Sequence, residues 1–500
     1  MTRSGPWAVW LLLAAWMFWW LQHNPLPDGY QNEFLHVGNA YNLWEALTAA
    51  DMWHIRHYMY EGYWPWGFYA VPWPIMAAAG PSHVALVSAN LLHLAVLLWA
   101  TVDLGRAFRA PLAPLVVALC PGVFGCLVRF EPNLADIAWT TAGLAFLVRS
   151  RQLRDTRAAV GWGACLGLGL MMDRLSVLFF LVPAIVPLLW PLERRRLWSA
   201  ACGGAAALLL SGAYYREFFL RQLDEITSQL QVGEIDSAGT VSQGGGWLYY
   251  PMALVDSQAG PVVGAVMLWG LGVAAVRCWR RPSDPATILL ASIGPAVIFF
   301  TLIAKQQVYY TLPVLGPLAV LAAGQGRLAW LAAAGGLWSF LAVGVGAVPG
   351  GPWLPAGWVA PRHVLARPPS MQQWPLEGLA ALEPAPGAQV VVFSEDPTLF
   401  EGFVVLKVRE AWPGRAVRGV TTDPEGTFEW LGEAEGFVWV GDPGGTWPGA
   451  RQLRTELLRD HVDLSSGPPV VEAVVAAAER FVEVGRWPAG DRELVVFRAR

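Results

Sequence analysis

The sequence predicts an all-α polytopic membrane bundle followed by a small extracytoplasmic α/β domain. Its 500 residues are 55% hydrophobic and only 14% charged, with a mean hydropathy of +0.40, which excludes an ordinary soluble globular protein. Apolar segments long enough to cross a bilayer recur over residues 1–348. After a Pro/Gly-rich linker at 349–384, residues 385–500 return to the composition of a soluble domain.

We expect about eleven transmembrane helices, because eleven apolar segments match or approach the length that spans hydrocarbon. They lie at roughly 7–22, 84–104, 111–128, 134–149, 158–172, 176–191, 199–215, 260–276, 286–303, 308–324 and 328–348. The first has an early arginine and no small-residue cleavage site after its apolar run, so we interpret it as an uncleaved signal anchor.

Arginine distribution predicts the orientation, since cytoplasmic loops collect Lys and Arg. With the N-terminus inside, each inside connection carries arginine, namely 106–111, 149–157, 193–198, 277–285 and 324–327. The external face then receives the long loops 23–83 and 215–259 and the C-terminal domain. These features predict a multi-pass protein of a bacterial inner membrane.

Charge and cysteine content exclude other classes. A formal net charge of -4 without a long basic run makes nucleic acid an improbable partner. The five cysteines form no CxxC pair, and they imply neither a disulfide framework nor a zinc site.

The C-terminal domain is predicted from its alternating patterns. Buried strands are expected at 389–393, 437–443 and 492–500, and helices at 397–412, 451–462 and 470–481. In the loop 215–259, an amphipathic segment precedes a Gly-rich stretch, which predicts an interfacial helix and a mobile lid. A surface loop that lies on the lipid headgroups explains the same pattern equally well.

Residues 28–47, DGYQNEFLHVGNAYNLWEAL, place polar groups where the chain leaves the membrane. As a helix, this stretch puts Phe34, Val37, Tyr41 and Trp44 on one apolar face, and the neighbours Glu33 and His36 on another. Such a helix could hold a carboxylate and an imidazole at the membrane surface as a catalytic shelf. The alternative is a solvated polar face.

Other external connections each offer ionisable or polar groups. They are Arg129, Glu131 and Asn133; Asp173 and Arg174; Arg216; and Lys305 with Tyr309. Charges at the mouth of an apolar bundle tend to mark substrate paths. Arginine binds phosphate bidentately and lysine binds it as a point charge, so a shared phosphate-binding cavity is one interpretation. Side chains that only reach to the lipid headgroups are the other.

Four segments resemble, in order and sidedness, the GT-C glycosyltransferases, of the protein O-mannosyltransferase and lipid A aminoarabinose transferase type. The resemblance covers about residues 5 to 348. The segment 32–47 looks like the family's Asp-Glu motif and the surface helix that follows it. The segment 129–150 looks like the family's second external loop and the membrane helix that follows it. Segment 166–183 is similar to the glycine-rich helix with an external cation, and 305–323 to the cation, tyrosine and Leu-Pro segment.

The resemblance implies a polyprenyl-phosphate sugar donor and direct attack that inverts the anomeric carbon. The phosphate would be held by some of Arg129, Arg174, Arg216 and Lys305. Where the family shows Asp-Glu, this chain has Asn32-Glu33, with Asp28 four residues before the asparagine. Either Glu33 or Asp28 would serve as the carboxylate, assisted by Glu131 or His36. No cofactor is indicated; a divalent metal is compatible with the resemblance, but no zinc motif is present.

The leading hypothesis is therefore transfer of a sugar from a polyprenyl-phosphate carrier to a cell-envelope acceptor, which is a glycan, lipid or protein, on the external face. A transporter is one alternative, and charges at mid-helix would favour it. A scaffold that binds a lipid-linked sugar without transferring it is the other. Replacing Glu33 would leave the function of such a scaffold intact.

Overall fold

A computed structural model describes most of the chain. It covers residues 5–23, 31–56, 59, 65–174, 176–189, 193–231, 246–302, 308–348, 389–394, 416–419, 434–441, 481–489 and 492–499. The chain divides into two compact units. Met1–Leu21 and Asn39–Pro369 form the first, and Gln22–Gly38 and Ser370–Arg500 form the second.

Helices dominate residues 5–172. In chain order they are α1 (Gly5–His23), α2 (Gln31–Thr48), α3 (Met52–Arg56), α4 (Trp66–Ala70), α5 (Trp73–Ala79), α6 (His83–Ser88), α7 (Asn90–Phe108), α8 (Ala113–Ala118), α9 (Pro121–Leu127), α10 (Asn133–Arg149) and α11 (Thr156–Met172). The predicted helix after the first membrane segment is thus present as α2.

Further helices complete the first unit. They are α12 (Ser176–Ile185), α13 (Arg194–Gln231), α14 (Tyr249–Ala253), α15 (Pro261–Arg280), α16 (Ala286–Leu302), α17 (Leu315–Ala323) and α18 (Arg327–Ser339). Short 3-10 helices occupy Val186–Leu189, Gly246–Leu248 and Val308–Val314, and π-helical turns occupy Leu254–Gln258 and Phe340–Val345.

The protein is an integral membrane protein. Among the described residues, four helices are long and apolar enough to cross a membrane, at His83–Phe108, Arg194–Arg216, Pro261–Arg280 and Arg327–Val345. Shorter apolar helices lie at Ser176–Ile185, Ala286–Leu302 and Tyr309–Ala323. Every segment predicted to span hydrocarbon coincides with helix over most of its length.

In two segments the structure differs from the prediction in where a helix is interrupted. The segment 111–128 is broken between α8 and α9, because a residue before proline avoids the helical region and Cys120, before Pro121, is extended (φ -70°, ψ 130°). The loop 215–259 does not begin with a separate interfacial helix. Its first part continues the preceding span as the 38-residue α13, since no proline or glycine interrupts 213–231. Of the Gly-rich stretch predicted to be mobile, GTVSQGGGWLYYP at 239–251, residues 246–251 are helical, and residues 239–245 lie outside the described residues.

Helix α10 is almost entirely buried in the first unit and packs against α7, α11, α12 and the 3-10 turn Val308–Val314. Helices α11 and α13 pack closely through glycines. A Cβ added at Gly163 would lie 1.9 Å from the carbonyl oxygen of Gly203, and one at Gly203 would lie 2.7 Å from that of Ala159. Small residues permit such close helix approach in membranes.

The described part of the C-terminal region is a five-stranded mixed sheet. Its strands are β1 (Gln389–Ser394), β2 (Ala416–Gly419), β3 (Ala434–Gly441), β4 (Phe481–Ala489) and β5 (Arg492–Ala499), in the order β2-β1-β3-β5-β4. Strand β1 pairs in parallel with β2 and β3, whereas β5 runs antiparallel to β3 and β4.

Three of these strands, β1, β3 and β5, coincide in position with predicted strands, and two, β2 and β4, were not predicted. The predicted helices at 397–412 and 451–462 lie outside the described residues, as do residues 470–480. The helix predicted for 470–481 is wrong at its last residue, because Phe481 begins β4. Aromatic and β-branched residues recur at the start of that strand and favour an extended backbone.

Candidate functional site

The connection between α9 and α10 is held by a buried amide. The side chain of Asn90, on α7, donates to the carbonyl oxygens of Cys126 (3.1 Å), Leu127 (3.2 Å) and Arg129 (2.6 Å). These carbonyls lie where α9 ends and lacks its own donors. Asn90 therefore fixes the backbone from which the buried side chain of Arg129 extends.

Glu131 follows in the same connection and is also buried. The amide of Asn133 donates to its Oε2 at 2.7 Å. Between the two charged residues, Phe130 stacks on Phe68 of α4 with ring centroids 4.6 Å apart. The short turn therefore places a cation and an acid at the N-terminal end of α10, with an aromatic ring anchoring the backbone between them.

Two carboxyl groups meet beside the first turn of α10. The hydroxyl of Ser176 donates to Oδ1 of Asp136 at 2.7 Å. The buried Asp173 lies close enough to Asp136 for the two carboxyl groups to interact electrostatically. Arg174 is half-buried and lies between Asp173 and the start of α12. The interactions of Asp173 and Ser176 with Asp136 therefore hold both ends of the short loop that carries Arg174.

Tyr69 of α4 lies in the same region. Its hydroxyl accepts a hydrogen bond from the amide of Asn39 at 3.2 Å, and electrostatic interactions link it to Tyr214 and Asp173. The neighbouring Gly67 touches α11, where an added Cβ would lie 2.7 Å from the carbonyl oxygen of Met171. Burial raises the pKa of Tyr69 well above its usual value of 10.0, so this phenol stays protonated.

Helix α13 is fastened to the end of α11. The hydroxyl of Tyr215 donates to the carbonyl oxygen of Leu170 at 2.9 Å, and the buried Tyr214 packs against Met171. Arg216 follows directly and is exposed. The α11–α13 contact thus sets the position of Arg216 relative to the loop of Arg174.

Glu33 and His36, on the part of α2 that belongs to the second unit, are both buried, with 0% and 2% of their surface exposed. These two side chains are thus shielded from solvent, and their role as a catalytic shelf stays a prediction. Burial lowers the pKa of His36 from 6.5 to about 3. Its imidazole is neutral at pH 7, because burial penalises the charged form, and its unprotonated ring nitrogen can still accept a hydrogen bond.

The fold is shared with solved structures over nearly the whole chain. ArnT from Cupriavidus metallidurans in the apo state superposes with a TM-score of 0.55 at 12% identity, covering 99% of this chain and 98% of that one. The same protein bound to undecaprenyl phosphate gives 0.57 with the same coverage. The chain has the GT-C glycosyltransferase fold.

A second relative of the GT-C fold is more distant. The apo Archaeoglobus fulgidus oligosaccharyltransferase has a TM-score of 0.51 at 10% identity, covering 96% of this chain and 73% of that one. No protein-family model and no curated relative matches the sequence. Backbone architecture therefore carries the GT-C assignment.

Within the GT-C fold, the structure brings some predicted residues together. Arg129 and Glu131 directly precede α10, and Arg174 lies between Asp173 and Ser176, which both interact with Asp136 in the first turn of α10. Tyr309 is half-buried in the 3-10 turn Val308–Val314, which packs against α10. Asp28 and Lys305 lie outside the described residues, so their roles remain predictions.

Sequence patterns alone missed several buried polar residues of this GT-C bundle. Asp256 lies in the π-helical turn Leu254–Gln258 and is fully buried. In the same turn, the Gln258 amide donates to the hydroxyl of Thr311 at 2.9 Å. The sequence did contain a signal for these two residues, since Asp256 and Gln258 interrupt the apolar run MALVDSQAG. Burying polar groups in such a run is costly unless they have hydrogen-bond partners.

A divalent metal was compatible with the family resemblance, and the described residues can be tested for one. Among them no group of three or more His, Cys, Asp or Glu side chains could hold a metal ion. We therefore derive no catalytic step through a metal.

Proposed function

We propose that this protein transfers a sugar from a polyprenyl-phosphate-linked donor to an acceptor hydroxyl on the external face of a bacterial inner membrane. The observation that carries this proposal is the near full-length match to ArnT crystallised with undecaprenyl phosphate. The neighbours of this fold are glycosyltransferases, and the buried arginine beside α10 supplies a charge that a phosphate requires.

Arg129 and Arg174 are the proposed phosphate ligands of the donor. Guanidinium groups bind phosphate bidentately, and the hydrogen bonds of Asn90 and Ser176 fix the backbone around each arginine. A positive charge here stabilises the polyprenyl phosphate as it leaves, since negative charge develops on its oxygen. Arg216 and Lys305 add to the positive potential, and Tyr309 contributes a hydroxyl.

Glu33 is the proposed general base, with Asp28 as the other candidate. The acceptor oxygen forms a bond to the anomeric carbon while the bond from that carbon to the phosphate oxygen breaks. The proton of the acceptor hydroxyl passes to the carboxylate. Direct displacement inverts the anomeric configuration. The neutral His36 would orient the acceptor, and Glu131, held by Asn133, would bind a sugar hydroxyl.

The domain boundaries proposed from sequence suit this activity. Residues 1–348 form the catalytic membrane domain, 349–384 the linker and 385–500 an external α/β domain. Parallel neighbours such as β1 and β2 require a crossover connection, and the predicted helix 397–412 would supply it.

Mass spectrometry of cell-envelope glycans and lipid-linked sugars tests the proposal. Cells of the source organism would carry the intact gene, a deletion, or Glu33→Gln, with membrane levels of the protein matched. We expect the deletion and Glu33→Gln to lose the same sugar from an acceptor, and to accumulate its polyprenyl-phosphate form. Glutamine keeps the size of the side chain but cannot accept the proton.

Glu45→Gln is the matched control, because Glu45 lies on the same helix and is exposed. It should leave glycans and carriers at wild-type levels. A deletion without any change in glycans or carriers would refute transferase activity. A change in the deletion alone would remove Glu33 as the base. It would then favour Asp28 or, if no carboxylate variant has an effect, the non-catalytic scaffold.

A further inference from the structure

The face of the first unit opposite the candidate site contains a cavity of about 330 Å³. It lies between the end of α10, the end of α12 and the connection from α15 to α16. Its walls include Val148, Val186, Pro187 and Ile288 on the apolar side and Arg151 and Arg154 on the polar side. All these elements end on the arginine-rich side of the predicted topology, and no residue of the cavity has a role in the proposed sugar transfer.

The turn that carries the two arginines is unusual and well held. Arg151, Gln152 and Leu153 have φ values of 51°, 62° and 63°, which is the left-handed region that residues with a Cβ rarely adopt in succession. The hydroxyl of Ser150 accepts from the Leu153 amide at 3.0 Å, and its carbonyl oxygen accepts from the Arg154 amide at 2.9 Å. Such local strain is an indication of function.

A third arginine lies behind the wall. The side chain of Arg196 is 3% exposed and donates to the carbonyl oxygen of Pro187 at 3.2 Å and to Oε1 of Gln152 at 3.4 Å. Both acceptors line the cavity. The buried guanidinium therefore adds positive potential to a pocket whose apolar wall screens it poorly.

Acids in the neighbourhood do not balance these charges. Glu193 pairs with Arg154 at 2.5 Å and with Arg196 at 3.5 Å, and the carboxylate of Asp284 is bound to Arg277 at 2.8 Å. Among the described residues, no acid pairs with Arg151. Asp155, the next acid along the chain, caps α11 by accepting from the amides of Arg157 and Ala158. The lining of the cavity thus carries two arginines, Arg151 and Arg154, and one acid, Asp284, so its net charge is positive, and the buried Arg196 behind it adds to this charge.

We propose that this cavity binds the phosphate group of an anionic membrane lipid. A phosphodiester matches the excess positive charge, and the valines, proline and isoleucine suit the glycerol and the first methylenes of a lipid. Basic pockets between transmembrane helices on the cytoplasmic side bind acidic headgroups in this way. A free phosphate ion offers the same charge but would leave the apolar wall uncovered.

Native mass spectrometry of the full-length protein in detergent tests the assignment, with phosphatidylglycerol as the probe and phosphatidylcholine as the neutral comparison. Arg151→Gln should weaken phosphatidylglycerol binding about fivefold, since one arginine near a membrane surface contributes about that factor. Arg151 is exposed, so the variant should unfold at the wild-type temperature. Arg327→Gln, an exposed arginine of the same face, should bind like wild type.

Three outcomes would overturn the proposal. One is equal affinity of wild type and Arg151→Gln for phosphatidylglycerol. Another is equal binding of phosphatidylcholine and phosphatidylglycerol, which would show that charge plays no part. The third is complete displacement of the lipid from wild type by inorganic phosphate at millimolar concentration, which would assign the cavity to a free anion.

Discussion

A single methyl group at Gly163 should separate the helices that position the candidate site. The Cβ of Gly163→Ala would lie 1.9 Å from the carbonyl oxygen of Gly203 and 2.7 Å from its Cα. Real Cβ atoms essentially never lie within 3.0 Å of a heavy atom from a residue remote in the chain. Because the obstacle is backbone, a rotamer change cannot relieve it, and α11 and α13 must move apart by about 1 Å.

Overpacking of this kind costs about 1–3 kcal/mol of folding free energy. Gly204→Ala provides the matched control, since Gly204 is the next residue on α13 and an added Cβ there meets nothing within 4 Å. That substitution should be neutral or stabilise by about 0.4–1 kcal/mol, because alanine loses less backbone entropy on folding. The two variants should therefore differ by more than 1 kcal/mol.

The assay is thermal unfolding of each variant in the same detergent, followed by intrinsic fluorescence. Gly163→Ala should melt below wild type and Gly204→Ala at or above it. Gly163→Ala should also bind a polyprenyl phosphate more weakly, because the shift moves Tyr215 from Leu170 and disturbs the loop of Arg174. Equal melting temperatures for the two variants would refute the close α11–α13 contact.

Three further substitutions test the buried polar groups. The first compares wild type with His36→Gln by chemical unfolding at pH 7.5 and at pH 5.0. Lowering the pH should reduce the free energy of unfolding of wild type by about 2 kcal/mol more than that of the variant. The reason is that the buried imidazole has a pKa of about 3 in the folded protein and 6.5 in the unfolded chain. This contribution is complete above pH 6.5 and is lost as the pH falls towards 3, so a pH-independent difference between the two proteins would contradict it. Asn90→Ala should lower stability by about 1–3 kcal/mol and weaken donor binding, whereas unchanged donor binding would show that the amide does not position Arg129. Ser176→Ala should raise the KM for the donor more than it lowers kcat, since it loosens the Asp136 contact; a loss confined to kcat would contradict this positioning role.

Periodicity and the positions of prolines explain how much of the fold could be predicted. The apolar runs of α7, α10, α15 and α18 are continuous, so length alone locates them. The break between α8 and α9 could have been predicted from Pro121, which disfavours a helical Cys120. It was missed because mean hydropathy over a window does not respond to a single proline. The unbroken α13 was missed for the opposite reason, since a change from apolar to amphipathic composition does not by itself end a helix.

The candidate site was predicted less completely, because its contacts join residues far apart in the chain. Glu33 and His36 could be chosen from a local motif, yet the sequence left their burial open. Asp136 and Ser176 are 40 residues apart, and their hydrogen bond follows only from the packing of α10 against α12. Asn90 likewise sits in an ordinary apolar helix, and nothing local indicates that its amide binds the end of α9.

The most direct test of the proposed transferase uses the purified protein in liposomes with the lipid-linked sugar that accumulates in deletion cells. Release of free polyprenyl phosphate would be followed by mass spectrometry, with an acceptor fraction from the same cells added. The account predicts release by wild type and by Glu45→Gln, and none by Glu33→Gln, which should still bind the donor. Failure of wild type to bind or consume the polyprenyl-phosphate sugar would contradict it.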